Sequence, residues 1–484
     1  MADGKTTLTK SPWFVGAGVL AVLAAGAGLA LASRTPPPPA SVEGPHAAGF
    51  ARKIRPHFDH TPVITEKFET PQAVTRACLK CHPDAAKVMT SAHWLWLGEE
   101  VTIPGRGGAP VRIGKKNLLN NFCIASRGNE RSCMKCHAGY GWLDDQFDFS
   151  KKENVDCLVC HEGTGAYVKG PGGIPTKESD LTAAARSVGT PRRDNCLVCH
   201  AYGGGGQAVK HGDLDSSLAH PFEEEDVHIG RHQFLCVDCH KAPDHQIQGR
   251  AFSVSVEDTH GVACADCHVK PEHQDERINA HLKAVACQTC HIPNYAGKLP
   301  TKATWDWSKA GDPTRKEDPH GYLKIKGEFT YEQDALPEYR WFNGTVGRYL
   351  LGDRIDPTKV TTLNPLRGDI GDATARIWPF KVHRGKQPYD AGNSYLFPPV
   401  TGGKDGFWTT FDWDSAFRLG AKASNLPYSG RFGFAPTEMY WPLSHMVAPK
   451  AQALGCTDCH GDGKRLDWKA LGYAGDPIKT GGRQ

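Results

Sequence analysis

Residues 196–213 read CLVCHAYGGGGQAVKHGD. The stretch opens on a C-x-x-C-H motif (Cys196, Cys199, His200), passes through the glycines at 203–206 and ends on Lys210, His211 and Asp213. Two thiols two residues apart, followed at once by an imidazole, can hold a metal, or take up the two vinyl groups of one haem and set the histidine against its iron. How often the motif occurs decides between these. Seven more copies are present: Cys78/Cys81/His82, Cys133/Cys136/His137, Cys157/Cys160/His161, Cys236/Cys239/His240, Cys264/Cys267/His268, Cys287/Cys290/His291 and Cys456/Cys459/His460. Of 17 cysteines only Cys123 is left over. A disulfide framework would not need a histidine after every second cysteine, and a zinc half-site would not recur in this way. The sequence therefore predicts eight covalently bound haem c groups. Calcium would be compatible with the chain, but no motif in the sequence shows a site for it.

Eight porphyrins also account for a composition that is poor in core-forming residues, 39% hydrophobic with 53 Gly and 34 Pro in 484 residues. The macrocycles supply much of the apolar interior. The expected fold is a multihaem cytochrome c, mainly short α-helices and loops wrapped around the haems, with a haem-poor region of loops and short strands near the C-terminus. The formal charge of +4 omits roughly two propionates per haem, which make the holoprotein net negative by about a dozen and exclude nucleic acid as a partner.

Residues 13–32 form an uncharged apolar run behind Lys5 and Lys10, long enough to span a bilayer with the basic end inside. It reads as an N-terminal transmembrane helix anchoring the body at the periplasmic face of the inner membrane. The rival reading is a signal removed after the A-x-A triplet at 30–32, which leaves the body in the periplasm. The domain reading is 1–34 anchor or signal, 35–56 Pro-rich linker, 57–300 core with seven haems, 301–450 aromatic-rich and haem-poor, and 451–484 eighth haem and tail. Helical pieces are expected in residues 81–97 and 275–285. The haem-poor region carries WDW (305–307), YRWFNGTVGRYLLGD (339–353), IWPFKVHRGKQPYD (377–390) and FWTTFDW (407–413), and is expected to pack across the haem array.

A haem with two protein ligands is an electron carrier; one with an open position can bind a substrate. Besides His82, His161, His200, His240, His268, His291 and His460 of the motifs, the distal candidates are His93, His211, His220, His228, His232, His245, His260, His281, His383 and His445. His46, in the linker, is not counted among them. Lys210 is either a solvated charge or, as a neutral amine, an iron ligand. The glycines before it allow a close backbone approach or merely a flexible connection. Cys123 is either a small buried side chain or a thiol beside an open haem.

The segments GKKNLLNNFC (114–123), CMKCHAGYGW (133–142), NVDCLVCH (154–161), GGGGQAVKHGDLDSS (203–217), ACQTCHIP (286–293) and PFKVHRGKQPYD (379–390) together resemble the octahaem tetrathionate reductase family across residues 60–460. The resemblance implies seven bis-histidine haems and an active site at the second, on Cys133 and Cys136. Its iron would be ligated by Lys210, with His137 displaced and Asn120 and Cys123 nearby. Gln207 stands where the family pattern has an acidic residue. Kinship with octahaem hydroxylamine oxidoreductases and pentahaem nitrite reductases is also implied, although all eight motifs here end in His and none in Lys.

The expected function is a periplasmic oxidoreductase of anaerobic respiration, reducing tetrathionate to thiosulfate, or nitrite or hydroxylamine. Its substrate is a small sulfur or nitrogen oxyanion, and its electron donor a membrane quinol dehydrogenase or a small cytochrome. The alternatives are a non-catalytic electron conduit and a hydroxylamine oxidoreductase, the latter usually needing a haem-linked tyrosine that the sequence does not nominate. No oligomeric state is assigned.

Overall fold

The computed structural model describes residues 58–119, 124–250, 252, 254–256, 261–268, 273–461 and 465–483. Residues 1–57, with the apolar run, and Asn120, Cys123 and His260 lie outside them. Among the described residues no helix is long and apolar enough to cross a membrane.

The first half of the chain is built of short pieces, because the surfaces they cover are flat macrocycles rather than other helices. The helix Pro71–Cys81 starts where the Thr70 side chain accepts a bond from the Ala73 amide and Pro71 fills the first turn. It is followed by the 3-10 turn Pro83–Thr90 and the one-turn helix Ala92–Leu95. The motifs themselves sit on single turns such as Leu158–His161, Cys236–Cys239, Cys287–His291 and Cys456–Cys459. A helical turn puts residues i and i+3 on one face, so both thiols of a C-x-x-C pair can reach one porphyrin edge. The second expected helix is present as Glu276–His281, capped by Asp275.

After a small hairpin of β1 (Glu100–Val101) and β2 (Val111–Arg112), the described strands all fall between the seventh and eighth motifs. The expected short strands are present, but with two longer ones they form one eight-stranded sheet. Its strands are β3 (Thr301–Asp306), β4 (Tyr322–Leu323), β5 (Gly327–Glu332), β6 (Glu338–Phe342), β7 (Thr361–Thr362), β8 (Arg376–Asp390), β9 (Tyr395–Leu396) and β10 (Phe432–Pro442). The order is β4-β5-β3-β8-β10-β7, with β6 and β9 also pairing β8. β8 runs for 15 residues. It pairs antiparallel with β10 from Phe380↔Pro442 to Asp390↔Phe432 and parallel with β3. Proline and glycine at 379, 385 and 388 hide this strand in the sequence, since both are poor strand formers.

Packing fixes the sheet. Phe252, Phe342, Val346, Phe380 and Val382 form one buried cluster, and Ile124, Val209, Trp305, Trp307 and Phe329 another. Side chains alternate along a strand, so while Phe380 and Val382 enter the first cluster, Lys381 and His383 share the other face of β8. Both are fully buried.

Candidate haem centres and the lysine loop

None of the sixteen motif cysteines forms a disulfide. Seven of the eight motif histidines face a second histidine. The ring centroids are 6.2 Å apart for His82 and His60, 6.3 Å for His161 and His245, and 6.1 Å for His200 and His93. They are 6.2 Å apart for His240 and His445, 6.2 Å for His268 and His228, 6.3 Å for His291 and His273, and 6.0 Å for His460 and His281. Two metal–imidazole bonds of roughly 2 Å each, plus the distance from each bonding nitrogen to its ring centre, add up to about 6 Å. The residues therefore fit a haem iron between the rings of each pair.

Five of the expected distal residues, His93, His228, His245, His281 and His445, are placed in such pairs. His60 and His273 complete the set and were not among the candidates. Both stand a short way before the motif they face, with no other motif between, and that position is the signal that could have found them. Among the described residues His211, His220, His232 and His383 do not stand opposite a motif histidine, so the expectation that they are distal ligands is replaced. His220 and His232 are exposed. The rings of His211 and His383 instead pack at 5.0 and 5.3 Å from Trp441.

The remaining motif histidine, His137 of the second motif, is different. Its ring is buried among Trp94, Trp96, Trp142, Phe147 and Phe149, at centroid distances of 5.1, 5.9, 4.9, 5.5 and 6.2 Å. Its Nε2 is bonded to the Trp94 carbonyl at 2.7 Å, whereas His161, His240 and His460 make their bonds to the protein through Nδ1. Burial pushes His137 down to about 3, so the ring is a neutral N–H donor to that carbonyl. Two lysines of the segment 114–123 close the cage, Lys115 over Trp96 at 4.3 Å and Lys116 over Phe149 at 4.2 Å. Below it, Lys169 bonds the carbonyls of His137 and Gly139 and forms a buried ion pair with Asp156 at 2.8 Å.

The loop that opened the sequence reading is held by the sheet. Thr301 Oγ1 donates to the carbonyls of Ala208 and His211 at 2.7 and 3.0 Å. Lys381 Nζ donates to those of Val209 and Lys210 at 3.1 and 3.0 Å, and to Thr301 Oγ1. Lys326 Nζ reaches the Gly205 carbonyl at 2.8 Å. Gly204 sits at φ +83°, and a Cβ there would come within 2.8 Å of Lys210 Cγ; the glycine leaves room for the lysine side chain itself. Lys210 is 6% exposed, with Nζ 5.8 Å from the Trp441 ring centroid. Gln207 turns away to donate to Ser216 Oγ at 2.6 Å. Burial pushes His211 down to about 4 and His383 well below the usual histidine range, so these two imidazoles beside Lys210 are uncharged.

Sulfur contacts connect the motifs. Cys78 lies beside Cys157, Cys136 beside Cys199, Cys196 beside Cys236, and Cys264 beside Cys287. Cys160 lies near Cys196, Cys239 near Cys267, and Cys290 near Cys456. In chain numbering the motifs thus run 1-3-4-5-6-7-8, with the second attached at the fourth.

Residues 302–463 match the family model for bacterial cytochrome c. An uncharacterized protein of Archaeoglobus fulgidus is 25% identical over 241 residues, 39% of this chain and 80% of its own length. The crystal structure of an octaheme cytochrome c from Shewanella oneidensis superposes with a TM-score of 0.82 at 47% identity, covering 87% of this chain and 98% of that one.

Proposed function

The chain belongs to the octahaem c-type cytochromes, a multihaem redox protein with eight covalently bound haem c groups, and from that premise we propose that it is a periplasmic reductase working at its second haem. The observation that carries this reading is His137, the one motif histidine whose Nε2 is engaged by a carbonyl and whose ring meets no second histidine among the described residues.

When bound there, haem supplies an iron that can take a substrate oxyanion on one face and electrons from its neighbours. Lys210 is the residue we assign to hold that iron, and it would do so as a neutral amine. The clamp of Thr301 and Lys381 holds the loop that carries it. The cage around His137 keeps that ring from competing for the metal. Asn120 and Cys123 are assigned to the substrate face by family resemblance. The remaining motifs, each with its paired histidines, carry electrons along the row to the fourth motif and across to the second.

Tetrathionate is the substrate we propose: two electrons cleave its central S–S bond and release two thiosulfates, with no proton consumed. The donor is a membrane quinol dehydrogenase or a small cytochrome.

Lys210→Ala is expected to keep eight covalent haems, change the spectrum of one, and lower the rate of dye-driven tetrathionate reduction by at least about 100-fold, as loss of a group acting at the reacting centre does. An unchanged spectrum and rate would remove Lys210 from the site. If no reduced haem of the parent protein binds cyanide or nitrite, the protein is a conduit instead.

A further inference from the structure

The axial histidines differ in what their second ring nitrogen meets. Nδ1 of His60, His161, His240 and His281 bonds a backbone carbonyl, of Phe58, Gly189, Gln248 and Arg277, at 3.0, 2.9, 2.8 and 2.7 Å. Nδ1 of His273 meets the neutral amide oxygen of Asn279 at 3.3 Å. Among the described residues and contacts, His460 has the short bond to a carboxylate, Asp476 Oδ1 at 2.6 Å. The nearest parallel is His445 with Asp213, at 3.3 Å, and there the carboxylate oxygen is shared with the amides of Ser444 and His445.

The Asp476 pair is built, not incidental. The Asp476 side chain also accepts from the Gly461 amide at 2.7 Å and from the Ile478 amide at 3.1 Å, capping the turn Pro477–Thr480. Trp468 lies stacked on the His460 ring, 5.3 Å away and inclined by 19°. The side chains of His460 and Asp476 are 14% and 9% exposed, so water screens their interaction little. The motif they serve lies at one end of the sulfur row, reached through Cys290 and Cys456.

A carboxylate on Nδ1 gives the imidazole anionic character and makes it a stronger donor to iron; a fixed negative charge close by acts in the same sense. Both favour the ferric over the ferrous state. We propose that Asp476 is a tuning residue that lowers the potential of the eighth haem through His460. The inference rests on the reading of His281 and His460 as the two ligands of that haem.

The experiment is a spectropotentiometric and EPR titration of the purified eight-haem protein with Asp476→Asn, Asp476→Ser and Asp476→Glu. Asn and Ser keep a neutral acceptor and a capping side chain; Glu keeps the charge. With either neutral variant one of the eight potentials is expected to rise so that its reduced-to-oxidised ratio at fixed potential increases about tenfold, or ~59 mV for one electron. The other seven stay in place, and Asp476→Glu stays close to the parent. Unchanged potentials in a folded neutral variant overturn the proposal, as does a downward shift. Loss of the eighth haem in both neutral variants, with its retention in Asp476→Glu, also overturns it, since Asp476 would then serve attachment. His281→Met tests the underlying ligation separately: if it alters no haem spectrum, the ligand assignment fails whatever Asp476 does.

Discussion

Lys302 is a buried cation without a carboxylate among its described contacts. Its ammonium lies 3.8 Å over Trp305 and 3.5 Å over Phe329, and burial pushes it from 10.5 down to about 6. Between those values the unfolded chain holds the proton that the folded chain has lost, so stability rises with pH across that window and sits at its lower, flat level below about 6. Lys302→Met is expected to flatten that slope and to raise Tm at pH 7, read from thermal unfolding of both proteins between pH 6 and 10; parallel curves would show that the ring contacts already offset the burial. Single residues also mark where the sequence stopped being readable. Haem attachment is local, since Cys, Cys and His lie within one turn, and all eight motifs could be recognised in the bare chain. What sets His137 apart is not local. Its motif reads like the other seven, and only the aromatic rings brought in from 94, 96, 147 and 149 reveal that its Nε2 is taken.

At the scale of elements, β8 does most to position the lysine loop. Two residues of its inward face matter: Lys381 ties down the carbonyls of Val209 and Lys210, and His383 flanks Trp441 beside them. Lys381→Met keeps the volume of the stem and removes the donors. It is expected to destabilise the fold by about 1–3 kcal/mol through the unsatisfied carbonyls and to speed amide exchange across residues 203–212 while exchange along β10 stays slow. Protection of the loop equal to the parent's would show that Thr301 holds it alone. The aromatic richness of 301–450 was visible in the sequence, but the sheet was not. Its longest strand carries Pro379, Gly385 and Pro388, and the register with β10 over Phe432–Pro442 depends on a partner far along the chain. The histidine pairs were hard to read for the same reason: a motif states that a second ligand is wanted but not where along the chain it lies.

Across the whole molecule, the sulfur contacts make the fourth motif a junction, in touch with the second, third and fifth. Removing that haem with Cys196→Ala and Cys199→Ala together is expected to leave seven haems by mass spectrometry, yet to cut dye-driven turnover far more than removal of a terminal haem does. Equal losses from the two deletions would mean that electrons reach the second haem by another path. The histidine pairs also order the events of assembly. His273 meets His291 and His60 meets His82 within short segments, but His240 must wait for His445, and His281 for His460, both far downstream. Closing such long loops is the slow part of folding. The low-spin signature of the fifth haem should therefore mature among the last, long after its thioether bonds are made, and so act as a built-in clock for maturation: a chain truncated before residue 445 would carry the pigment of that haem without its final colour.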